Sequence, residues 1–63
     1  MREITLADAA DNIGRAVVYQ SHPAAPVEQG YITSVNHRYV FVRYGSDSTG
    51  KATRPDDLRW MNT

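Results

Sequence analysis

The chain contains no cysteine. That excludes disulfide staples and thiolate metal sites, and it fits a reducing cytoplasm. Leucine occurs only twice, at Leu6 and Leu58, so the core has to be filled by other residue types. No apolar run approaches the ~18 residues that a membrane-spanning helix needs. Arg2 is not followed by the apolar segment of a secretory leader, which argues against a signal peptide. Charge of one sign is also missing. Seven basic and seven acidic residues cancel, which argues against a strongly basic nucleic-acid binder and leaves room only for a local patch. These absences point to a small soluble protein of the cytoplasm, with no membrane partner. With 63 residues and Met1 at its start, the sequence reads as one domain, 1–63. A domain of this size buries only ~60% of the surface its unfolded chain exposes.

The residues that are present alternate like strands. Arg15 to Ser21, Val27 to Val35, Tyr39 to Tyr44, Lys51 to Arg54 and Arg59 to Met61 are short runs rich in β-branched and aromatic side chains, separated by turn residues. Before them, Leu6, Ala9, Ala10 and Ile13 share one helical face. Thr5 stands at the N-cap, Asp8 three residues on, and Gly14 at the stop, so a helix is expected over 5–13. His22 to Pro26 is a loop, and Asn36-His37-Arg38 is a turn in which Asn36 suits a left-handed conformation. Pro55 followed by Asp56 and Asp57 reads as one helical turn.

Two irregularities carry information. Gly30 sits inside a strand, where glycine marks a bulge or a close backbone approach. Ile32 and Val35 are both apolar but three apart, which calls for a bend near Thr33 and Ser34. The expected core is Val17, Ile32, Val40, Val42 and Leu58. Val40, Val42 and Tyr44 then share one face of their strand, and Tyr39, Phe41 and Arg43 the other.

From Gly14 to Trp60, the valine-paired first strand GRAVVY, the glycine-centred second strand EQGYITSV and the strong third strand YVFVRYG resemble SH3-like barrels of the Tudor and KOW type. The run EQGYITSVNHRYVFVRYG followed by KATRPDDLRW also resembles short uncharacterised bacteriophage and prophage proteins. The resemblance implies a mainly β fold: a five-stranded SH3-like barrel over 15–61, with a short N-terminal helix and a one-turn helix before the last strand. For a phage-encoded protein the compartment is the host cytoplasm. A fold of this kind brings no activity with it.

The chemistry in the sequence is sparse. His22 and His37 stand in different turns, outside any catalytic or metal-ligand pattern. Asp56 and Asp57 are adjacent and point apart on a helical turn. No phosphate-binding glycine motif occurs. No catalytic residue, metal or cofactor is expected, and the chain is read as a non-enzymatic protein. The aromatics Tyr19, Tyr31, Tyr39, Phe41, Tyr44 and Trp60 either fill the core or form a contact surface; Tudor-like barrels can hold methylated side chains in an aromatic cage. Between Arg38 and Arg54 stand Arg38, Arg43, Lys51 and Arg54 against one acid, Asp47. Tyr39, Phe41, Arg43, Arg38, Lys51 and Arg54 therefore form the expected partner-binding set. Three functions compete for it: an interaction module for a protein partner, a KOW-like nucleic-acid-binding barrel whose bases would stack beside the cations, and a self-associating assembly part.

Overall fold

The structure, a computed structural model, describes residues 4–61. Residues 1–3 and 62–63 of the expected single domain, and with them the reading made at Arg2, lie outside the described residues. Helix α1 spans Leu6–Ala10, capped by the Thr5 hydroxyl oxygen, which accepts a hydrogen bond from the Asp8 N–H at 3.0 Å. It ends three residues before the expected position, and Asn12 shows why. The Asn12 side-chain amide donates to the Asp8 carbonyl at 2.8 Å, taking the acceptor that the Asn12 backbone N–H would use in a continuing helix. That N–H goes to the Ala9 carbonyl instead, closing a tighter turn. Gly14, with φ +93°, then reverses the chain, and its N–H donates to the Ile32 carbonyl at 2.7 Å. The expected apolar stripe is thereby shortened: Ala9 is buried and Leu6 half-buried, but Ala10 is exposed and Ile13 is 50% exposed.

Five antiparallel strands form one sheet: β1 Ala16–Tyr19, β2 Glu28–Val35, β3 Val40–Tyr44, β4 Lys51–Thr53 and β5 Leu58–Trp60. Their order across the sheet is β4-β3-β2-β1-β5. The expected strands run one or two residues past several of these ends. The expected bend is a register shift between Ile32 and Ser34, which lets both Ile32 and Val35 face the interior. No non-glycine residue among those described has a positive φ, so Asn36 does not adopt the left-handed conformation. Its side chain works instead: Oδ1 accepts from the N–H groups of Arg38 at 2.8 Å and Tyr39 at 2.6 Å, closing the β2–β3 hairpin. In the β1–β2 loop the side-chain amide of Gln20 donates to the carbonyls of Pro23 and Ala25.

The strand order imposes a shape. In a flat sheet, four spacings of ~4.8 Å would set β4 and β5 ~19 Å apart. Only Arg54 and the 3₁₀ turn Pro55–Asp57 connect them, and such a turn rises only ~2 Å per residue. The sheet has to curl so that its two edges approach. The concave side is the core. Val17, Val40, Val42 and Leu58 have no exposed surface and Ile32 has 1%, as expected; Ile4 and Ala9 join them from the N-terminal segment. Leu6, Tyr19, Val35, Tyr44 and Trp60 pack around this cluster. Helix α1 therefore lies against the concave side, and among the described residues no helix covers the convex side of the sheet. Among the described residues no helix is long and apolar enough to cross a membrane.

Gly30 stands in the middle of this arrangement, paired with Val17 on one side and Tyr44 on the other. A Cβ there would lie 2.5 Å from the Val42 side chain and 2.9 Å from the Arg43 carbonyl oxygen. The glycine is a close approach, and the bulge belongs to Thr33. Gly30→Ala and Val42→Ala should both destabilise the fold, for opposite reasons. The first inserts a methyl where backbone already stands, at a cost of about 1–3 kcal/mol; the second opens a cavity at a similar cost. Urea denaturation of the two variants checks this; a Gly30→Ala midpoint equal to the parent's would show that the position has room.

Candidate functional site

Strand pairing determines which side chains reach the convex face. Three cross-strand rows lie there: Ala16, Tyr31 and Arg43; Ser34, Phe41 and Ala52; and Gln29, Val18 and Arg59. These rows contain two arginines and no carboxylate. Tyr31 is 45% exposed and stands directly opposite Arg43, which is exposed and has no ion pair among the described residues. Phe41 is half-buried in the adjoining row. The Arg59 guanidinium is already engaged, donating to the carbonyls of Leu58 and Asp56. Among the described residues, Arg43 is thus the uncommitted cation of these rows.

The six expected partner-binding residues do not form one patch. Phe41 and Arg43 share the convex face. Arg38 and half-buried Tyr39 sit at the β2–β3 hairpin, with the guanidinium 6.0 Å from the centre of the tyrosine ring. Lys51 and Arg54 lie elsewhere. Lys51 is opposite Val42, on the concave parity of β4, and both it and Arg54 line a cavity at the end of the sheet where β1 and β3 finish. Both are also neutralised, Lys51 by Asp47 at 3.4 Å and Arg54 by Asp56 at 3.6 Å. Closeness in sequence did not make a continuous basic surface, because strand alternation sends neighbouring side chains to opposite faces.

Sequence reasoning missed two features. Tyr31 was readable: if Gly30 faces inward, the next residue faces outward. The cavity was not readable, because its walls come from four separate segments. It has a volume of about 310 Å³ and is bordered by Tyr19, Glu28, Tyr44, Ala52, Thr53 and Asp57 as well as the two neutralised cations. Tyr19 and Tyr44 meet edge to face with ring centres 5.8 Å apart. Thr53 is buried, and its hydroxyl lies 2.8 Å from that of Tyr44 and donates to the Lys51 carbonyl at 3.1 Å. Since threonine has one hydroxyl proton, Tyr44 donates to Thr53, and the phenol oxygen keeps its acceptor capacity. The aromatics thus divide. Tyr19, Tyr44 and Trp60 pack on the core, Trp60 with the Arg15 guanidinium 4.7 Å above its ring, while Tyr31 faces solvent. His22 and His37 are exposed in their turns, and among the described residues no three His, Asp or Glu side chains converge as a metal site would require.

Compared with protein-family models, curated proteins and solved structures, the chain matches none.

Burial raises the pKa of Tyr44 above its ordinary value of 10.0; the hydrogen bond with Thr53 partly offsets this, and the charges of Tyr19, Glu28 and Asp57 add to the rise. A group that holds its proton more tightly when folded stabilises the fold below its unfolded pKa, and that contribution is lost as pH rises through the folded value. A tyrosinate absorbance titration should find one tyrosine ionising above the range of a free phenol. Tyr44→Phe should remove that late step and flatten the fall in stability above about pH 10. A late step that survives the substitution would assign the shift to another ring.

Proposed function

We propose that this chain is a non-enzymatic interaction module built on an SH3-like barrel, and that it docks a protein partner on the convex face of its sheet. The strand order, the hairpin-linked β2, β3 and β4, and the 3₁₀ turn that returns the chain to β1 support the barrel reading. One observation carries the functional one: a row in which exposed Tyr31 stands beside uncommitted Arg43, flanked by Phe41, in cross-strand rows that hold no carboxylate and, among the described residues, have no helix over them. Aromatic residues and arginine dominate binding hot spots, and an exposed apolar patch with one sign of charge suits a complementary surface. The complementary partner is an acidic protein surface with an apolar centre. The competing nucleic-acid reading needs a longer basic track. Pairing of Lys51 and Arg54 with acids, on another side of the molecule, leaves only Arg38 and Arg43 for it.

Capture from nuclease-treated lysate of the source cells tests the proposal, using the parent chain and a Phe41→Ala, Arg43→Ala double variant side by side. The parent should retain an acidic protein that the double variant loses, while circular dichroism shows the variant still folded. Equal capture by a folded variant would move the contact to another surface. An unfolded variant would place Phe41 in the core and invert the face assignment. Loss of all capture on nuclease treatment would favour nucleic acid.

A further inference from the structure

The cavity at the end of the sheet shares only Ala52 with the convex rows and lies apart from Tyr31, Phe41 and Arg43, and it has an electrostatic character that the whole chain lacks. Its two cations are each neutralised by an acid beside them, Lys51 by Asp47 and Arg54 by Asp56. That leaves Glu28 and Asp57 on the wall, neither with an ion pair among the described residues. The walls and their immediate salt-bridge partners hold four carboxylates against two cations. Together with Ala52 and Thr53, the wall also holds the rings of Tyr19 and Tyr44, aromatic groups of a kind that attracts cations. Behind them the Tyr44 oxygen is an acceptor, its own proton given to Thr53. A volume of about 310 Å³ admits one side chain.

We infer that this cavity is a second binding site, which takes the cationic head of a basic side chain from a peptide or protein, with Glu28 and Asp57 as its counter-charges and Tyr19 and Tyr44 as its walls. The chemistry distinguishes among cations. Two carboxylates and a phenol oxygen are hydrogen-bond acceptors, so they favour a head that carries N–H donors. Unmodified arginine and lysine fit; a fully methylated ammonium, which has no N–H, satisfies the rings and leaves the acceptors unpaired. The site is independent of the convex face, and its failure would leave the proposal for that face intact.

The test is a titration followed by amide NMR in low salt, using capped tripeptides with arginine, lysine, trimethyl-lysine, norleucine or glutamate at the centre. The arginine and lysine peptides should shift amides at Tyr19, Glu28, Tyr44 and Thr53 to Asp57 in a saturable way. The trimethyl-lysine peptide should bind several-fold more weakly, and the norleucine and glutamate peptides should leave those amides unmoved. Glu28→Gln with Asp57→Asn should weaken arginine-peptide binding at least about tenfold, as removal of two charge-assisted partners requires. Glu28→Gln alone, an exposed change, gives an intermediate loss if the double variant folds poorly. Phe41→Ala with Arg43→Ala should bind the arginine peptide as the parent does. Equal binding of norleucine, preference for glutamate, or undiminished arginine binding by either carboxylate variant would overturn the inference. Tighter binding of trimethyl-lysine would replace it with an aromatic cage in which the carboxylates have no hydrogen-bonding role.

Discussion

Everything in this molecule depends on a short tether between the two edges of its sheet. β4 and β5 are the outermost strands, yet only four residues, Arg54 to Asp57, lie between them in the chain. A flat sheet cannot meet that constraint, so the sheet curls, and curling brings the concave side chains together on an axis near Gly30. There the backbone of β2 comes so close to Val42 and Arg43 that no side chain fits. The core that results is small and made of three valines, two isoleucines, one leucine and one alanine, and β-branched residues suit its strands because they are already stiff there. Tyr19, Tyr44 and Trp60 extend it at its margins, where their polar ends can reach solvent or a partner.

The curl also separates two surfaces of different character. On the concave side α1 packs against the core, and the tyrosine-walled cavity opens at one end of the sheet. The convex side keeps a run of short and aromatic side chains around Arg43. Charge that sums to zero over the chain is thus unequally distributed: carboxylates outnumber cations around the cavity, while the convex rows have arginines alone. A neutral protein can in this way offer one cationic and one anionic contact.

How much of this was legible in the sequence depended on the range of the signal. Period-two alternation in YVFVRY was enough to place Val40 and Val42 inside and Phe41 and Arg43 outside, since each face is decided within its own strand. Gly30 announced either a bulge or a close approach, and the structure shows the close approach. The helix length was not legible. Apolar spacing extended it to Ile13, but the Asn12 side chain competes for the Asp8 carbonyl, and that competition is invisible to periodicity. Lys51 and Arg54 looked contiguous with Arg43 because they are close in the chain, and their partners Asp47 and Asp56 stand only a few residues away. The cavity required four segments to be brought together, which is tertiary information. Tyr44 belongs to both kinds: its strand and parity were readable, its bond to Thr53 was not.

The central claim is the assignment of faces on the curled sheet, and the absence of cysteine makes it directly measurable. Single cysteines can be placed at Val17, Val40, Tyr31 and Arg43, each then the only thiol in the protein, and their reaction with a soluble disulfide reagent timed under native conditions. The account predicts that Tyr31→Cys and Arg43→Cys react at the rate of an unstructured peptide. Val17→Cys and Val40→Cys should react at least about a hundredfold more slowly, limited by opening of the fold. Protection at Tyr31 and Arg43, or rapid reaction at Val17 and Val40, would contradict the account by showing that the sheet curls the other way.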